Sequence, residues 1–192
     1  MLDVNEIIQK LDLAVKLKFW VRPEKVEYRN RKLANEVQQN TQEIINVEIP
    51  EGSASIINIQ QQYEKQTVQL ENQRQKDAIT LQLQAQQGQE TDMATTLGTN
   101  LQLEQCAGQT KDNLRELNNI DLSTKDAATQ LATIATHVEK TQAQLDQLAQ
   151  NNDQKFSNAV QKDLEADNQT IKEEQNEDNQ AEEYEESLNT TE

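Results

Sequence analysis

Apolar residues recur at three- and four-residue steps along most of this chain, always in narrow stripes, and that spacing predicts α-helices. Over residues 4–21, Val4, Ile7, Ile8, Leu11, Ala14 and Val15 share one face, which Leu13, Leu17 and Trp20 widen. Pro23 interrupts this segment and is placed to open the next helix at its first turn. Residues 24–46 continue with Val26, Leu33, Val37 and Ile44. Pro50 and Gly52 then signal a turn, with a short extended stretch expected over 44–49. Ser53 or Ser55 caps a helix predicted over 56–87. Within it Ile59, Leu70 and Leu81 stand eleven residues apart. Eleven residues over three turns is about 3.67 per turn, which favours a straight or slightly right-handed supercoil.

Gly88, Gly98 and Gly108 punctuate the next stretch at ten-residue steps. They mark either bends or close approaches to a neighbouring helix, with Leu97, Leu101, Leu103, Leu114 and Leu117 as the seam. Residues 118–122 read as a connection, and Ser123 followed by Asp126 resembles a capping box. The heptad is clearest after that. Leu131, Ile134, Val138, Thr141, Leu145 and Leu148 alternate by three and four, and Asn152 holds the same register, where a polar residue can fix alignment. A helix over 124–165 is expected, roughly 60 Å long. Beyond it, Glu173, Glu174, Glu185 and Glu186 frame a polar run with only Ala181 and Tyr184 for apolar contact, so 166–192 reads as disordered.

Composition changes the picture. The hydrophobic fraction is 34% and aromatics are 3%, against roughly 45–50% apolar in ordinary domains when glycine is counted. The 29 Gln and 18 Asn supply a quarter of the chain. Amides suit helices but are costly to bury unpaired, so the expected core is small and completed by other copies. Net charge is −16, distributed as +3 over residues 1–32, −8 over 33–162 and −11 over 163–192. That balance disfavours nucleic-acid binding by the body, which needs clustered cations. No run approaches the roughly 18 apolar residues of a bilayer span. The first residues lack a secretory signal's basic and apolar regions. The expected location is soluble, either cytoplasmic or within an assembled particle.

Little in the chain suggests catalysis. His137 is the only histidine and Cys106 the only cysteine, so metal and nucleophilic sites would need unusual ligands or bases. Neither a phosphate-cradling glycine loop nor a calcium-binding loop is present. The expectation is no enzyme, no cofactor and no metal. A binding element is the better candidate: Lys16, Lys18, Arg22 and Lys25 surround Phe19 and Trp20. That face suits a partner groove, and contact with an anionic membrane surface is compatible with it. Filling a small internal core with residues 33–45 is the structural alternative. Ile7, Ile8 and Leu11 support Phe19 and Trp20 as docking residues.

Two resemblances accompany this reading. The Gln/Ala/Leu-rich run from Tyr63, Glu64, Lys65 and Gln66 to Gln89 resembles internal virion or ejection proteins of tailed phages. That likeness implies a non-enzymatic helical component packed in a capsid. Asp112, Asn113, Leu114, Arg115, Glu116 and Leu117, leading into Ala127 to Leu131 and Gln142 to Gln150, resemble the helical part of minor pilus subunits of type IV secretion systems. Those subunits are exported, and a leader is the feature this chain departs from. Neither resemblance assigns a functional residue.

The expected fold is all-α, an elongated helical bundle or coiled coil with a disordered acidic C-terminal tail. Its regions are an amphipathic docking region (1–50), a Gln-rich helical region with glycine bends (51–122), a heptad helix (123–165) and the tail (166–192). The expected function is a structural or assembly component of a larger machine, self-associating through Leu131, Ile134, Val138, Leu145 and Leu148. The competing expectation is a monomeric chaperone-like adaptor whose N-terminal helix binds a client.

Overall fold

A computed structural model describes residues 21–45 and 54–190. They form four α-helices and, among the described residues, no strand: α1 (Pro23–Ile45), α2 (Ala54–Gln86), α3 (Glu90–Asn118) and α4 (Ala127–Asn189). Helix α1 opens on Pro23, whose fixed φ suits a first turn and whose missing N–H would have had no partner there. Helix α2 stops at Gly88, which adopts φ +68°. Gln89 N–H donates to the Gln84 carbonyl at 3.0 Å and Gly88 N–H to the Ala85 carbonyl at 3.2 Å. This paired closure needs a residue in the left-handed region.

The other two described glycines do not behave as expected. Gly98 and Gly108 lie inside unbroken α3, and a Cβ added to either would meet nothing within 4 Å. They mark neither a bend nor a close approach. Ser123 likewise fails to cap α4. Its N–H and hydroxyl donate to Asp121 Oδ1 at 3.0 and 2.6 Å. That local turn delays the helix to Ala127, after Asp126, which makes no capping bond through its side chain.

Partner residues advance together along α1 and α3, as in Asn30 with Asn100, Glu36 with Lys111 and Glu43 with Arg115. They do so again along α2 and α4, as in Gln66 with Gln142 and Gln87 with Ala159. Each pair therefore runs parallel, and successive helices run antiparallel, which is the up-down-up-down bundle. Helices α2 and α3 pack on each other and on both remaining helices, while α1 and α4 lie on opposite sides, with no Cα atoms of the two within 8 Å.

The core is layered. At the α3–α4 loop end, Ile44, Ile59, Tyr63, Leu114, Leu117, Ile134 and Val138 form one apolar cluster. Leu33, Val37, Leu70, Leu103, Cys106, Ala107 and Leu145 form the middle one, and Leu81, Met93 and Leu97 close the α2–α3 turn end. Two polar layers separate them. In the first, Thr110 Oγ1 donates to Gln66 Oε1 at 2.7 Å, and Asn40 Nδ2 to the Ala107 carbonyl at 2.9 Å. In the second, Asn152 meets Gln73, and Asp77, Thr80 and Asn100 are fully buried beside them.

This corrects the expectation that amides deny the chain a core of its own. Side-chain amides on one helix find carbonyls and hydroxyls on the next, so part of their desolvation cost is recovered. The stripe expected to face another copy is used up in the same way. Ile134, Val138 and Leu145 are buried against α2 and α3, and Leu131 and Leu148 are partly buried around them. The eleven-residue step is borne out in burial: Ile59, Leu70 and Leu81 each keep 5% or less of their surface exposed.

The expected disorder of 166–192 is also corrected. Residues 166–189 continue α4 as helix, and 191–192 lie outside the described residues. Forming a new helix is costly chiefly at nucleation. Here the bundle has already nucleated α4, so each further residue meets only the propagation step. The extension contains no proline or glycine, and Gln169 Nε2 donates to Glu173 Oε1 at 2.9 Å across one turn. The docking residues Ile7, Ile8, Leu11, Phe19 and Trp20 lie outside the described residues.

Candidate interaction surface

Two features converge at the bundle end marked by the α2–α3 turn. Helix α1 begins there, and α4 leaves the body there. Gln87 Nε2 donates to the Ala159 carbonyl at 3.1 Å, and Lys162 Nζ stands 3.8 Å from Asp92 Oδ2. The second contact is half-exposed and screened, so it orients more than it stabilises. Past Asp163, every residue from 164 to 190 is exposed. That is an overhang of roughly 40 Å at 1.5 Å per residue. It carries ten carboxylates against Lys172 alone, a net −9. Leu164, Ile171 and Tyr184 each expose more than half of their surface along it.

Beside the start of α1 lies an apolar groove of about 650 Å³, walled by Val21 and Val26, by Ala78, Leu81 and Ala85 of α2, and by Met93 of α3. Of its polar residues, Glu27, Arg31, Gln82 and Glu90 are exposed and Asn30 is half-buried. The groove forms because α2 presents alanines at 78 and 85, where larger side chains would close the gap.

The second polar layer holds a strongly perturbed carboxyl. Burial pushes the Asp77 carboxyl up to about 7, only partly offset by Asn100 and Lys155 nearby. Neither Asp77 oxygen has a hydrogen-bond donor among the described residues, and Asn100 Oδ1 also lacks one. Asn100 thus lies close enough to ease the charge without completing a bond of ordinary geometry. Lys155, its ammonium pKa lowered chiefly by burial, donates to Thr99 Oγ1 at 2.8 Å. On α1, Arg29 stands 3.2 Å from Glu104, which also holds Lys32 at 3.0 Å.

These groups tie helices together. Cys106 is buried, and burial pushes its thiol up, away from the reactive thiolate. His137 is partly exposed, with Nδ1 3.5 Å from a Glu116 oxygen. Among the described residues, no three His, Cys, Asp or Glu side chains are grouped to hold a metal ion. None of their helices is long and apolar enough to cross a membrane.

Sequence reasoning missed Asp77, the Arg29–Glu104 pair and the groove. A signal existed for Asp77, which follows Gln66 by eleven residues and precedes Leu81 by four, on the buried stripe of α2. The groove had none, because it depends on how α1 and α2 diverge. Compared with protein-family models, curated proteins and solved structures, the chain matches none. Its geometry alone sets its class, a four-helix bundle extended by one projecting acidic helix.

Proposed function

We propose that this chain is a non-enzymatic structural or assembly component of a larger machine. The four-helix body is the rigid base and the overhang of α4 is the element that joins it to its neighbours. One observation carries this reading. Residues 164–190 extend past the body with every side chain exposed, yet with apolar residues at 164, 171 and 184 that have no role in the body's fold. A helix held out in this way offers a ready surface for coiled-coil or helix-in-groove contact. The heptad seam plays no part in that contact, since its residues are spent within the chain.

Association of two overhangs works against their shared charge and is therefore favoured by salt, which screens it. Sedimentation velocity on the full chain and on a form ending at Asp163 tests the reading. A defined multimer that grows with salt and disappears in the shortened form is expected. A monomer at every concentration and salt level leaves the adaptor as the better reading. One observation already favours that alternative: the apolar clusters close within a single chain and require no second copy.

A further inference from the structure

We infer that the groove between α1 and α2 is the seat of the chain's own N-terminal segment, residues 4–20, with Phe19 and Trp20 entering it first. The groove needs an apolar occupant. Its walls are Val26, Ala78, Leu81, Ala85 and Met93, and its polar residues other than half-buried Asn30 are exposed around them. Leu81 and Met93 also belong to the smallest of the three apolar clusters, against which Val21 packs. Added cover at this end completes a core that the other two clusters already have.

Chain continuity selects the occupant. Val21 itself lines the groove, so the Trp20 Cα is one residue, about 3.8 Å, from a wall residue. The segment cannot simply extend α1 along its axis. Pro23 lacks the N–H that would join the two helices, and its ring disfavours a helical conformation at Arg22. Val21 and Arg22 accordingly lie outside the helix, at the groove mouth. The 17 residues from 4 to 20, helical as their apolar spacing predicts, would span about 25 Å, enough to lie along about half of α2.

Sequence and charge agree with this placement. Leu13, Leu17 and Trp20 widen the apolar face toward its C-terminal end, where the groove begins. Lys16 and Lys18 precede Phe19, and of the charged groove residues Glu27 is already paired with Arg31, which leaves Glu90 as the carboxylate to face them. Two aromatic rings fit a space of this size, and each buries about 150–250 Å² when covered. Tethering supplies an effective concentration in the millimolar range, well above that of a second copy at ordinary dilution.

Trp20 is the only tryptophan, so its fluorescence reports the seat directly in the intact chain. Emission should be blue-shifted and shielded from acrylamide, and it should not change on dilution. Ala85→Arg, on an exposed wall position, should move the emission to the red and raise the quenching constant several-fold, while helical circular dichroism stays unchanged. Ala78→Arg, deeper in the same wall, should do likewise. Freely quenched Trp20 in the unmodified chain overturns the inference, as does a signal that ignores both arginines. Shielding that disappears on dilution would assign the groove to a second copy and overturn it equally.

Discussion

Asn152 of α4 donates its side-chain amide both to the backbone carbonyl of Gln73, at 3.2 Å, and to that residue's Oε1, at 2.9 Å. Gln73 in turn donates to Asp153 Oδ1 at 3.2 Å. The contact lies between two apolar clusters, where a sliding helix would strand both amides without water. It therefore sets the alignment of α4 against α2. Removing the amide in Asn152→Ala should cost about 1–3 kcal/mol, the penalty of an unpaired buried partner. Asn152→Leu should cost less, because leucine refills the space that alanine leaves empty and Asn152 Oδ1 has no donor of its own to lose. Urea denaturation of both variants checks the order.

Val138 keeps 3% of its surface exposed and belongs to the cluster with Tyr63 and Leu114. Val138→Asp places an unpaired carboxylate inside the body. The expected loss is about 3 kcal/mol or more. Thermal unfolding followed by circular dichroism should show it at every protein concentration. Were the seam an interface between copies, the effect would instead be dissociation with the helices intact.

Asp77 gives the bundle a pH dependence of unusual sign. Its carboxyl titrates at about 7 when folded, against an ordinary 3.8. Below 3.8 both states are protonated and its contribution is fully present. Between 3.8 and about 7 the unfolded chain has released a proton that the folded chain keeps, so stability falls as pH rises. At about 1.4 kcal/mol per pH unit, this bounds the loss at about 4 kcal/mol. Asp77→Asn should remove that decline and leave the variant more stable than the parent at pH 8. Glu71, held low by its bond to Arg74, acts in the opposite sense and loses its contribution as pH falls. The difference between the two melting curves isolates Asp77. Parallel curves would show that the carboxyl is already charged in the folded state.

The three described glycines should separate cleanly on replacement by alanine. Gly98→Ala meets no neighbour within 4 Å and sits mid-helix, so it should stabilise by about 0.5–1 kcal/mol. Gly108→Ala should match it. Gly88→Ala has equal room but must hold φ +68°, so it should destabilise by about 1 kcal/mol. Melting temperatures of the three variants measure this directly.

Much of the fold was legible in advance because its causes are local. Pro23, Gly88 and the three- and four-residue stripes act through backbone geometry and helix period, which any single helix expresses by itself. The start of α1 and the end of α2 follow accordingly. The inward-facing positions Ile134, Val138 and Leu145 were legible too, as an apolar line. What that line faces was not, because periodicity marks a buried side without naming the surface that covers it. Ser123 misled for a related reason: a cap and a turn draw on the same hydroxyl, and the carboxylate of Asp121 took it.

The chain's amide richness shows where sequence reading reached its limit. Composition alone determines that this protein is acidic and poor in aromatics, since those are sums over residues, and the spacing of its apolar positions determines that it is helical. Whether Gln66, Asn40 and Asn152 can be buried depends on finding Thr110, the Ala107 carbonyl and Gln73 within hydrogen-bond reach, at separations of 44, 67 and 79 residues. Only the packing of four helices brings those partners together, and that packing turned an expected shortage of core into a layered one. The same holds for the overhang. Its acidic composition predicts disorder when taken alone, and attachment to a helix already folded by the bundle removes the nucleation cost on which that prediction rested.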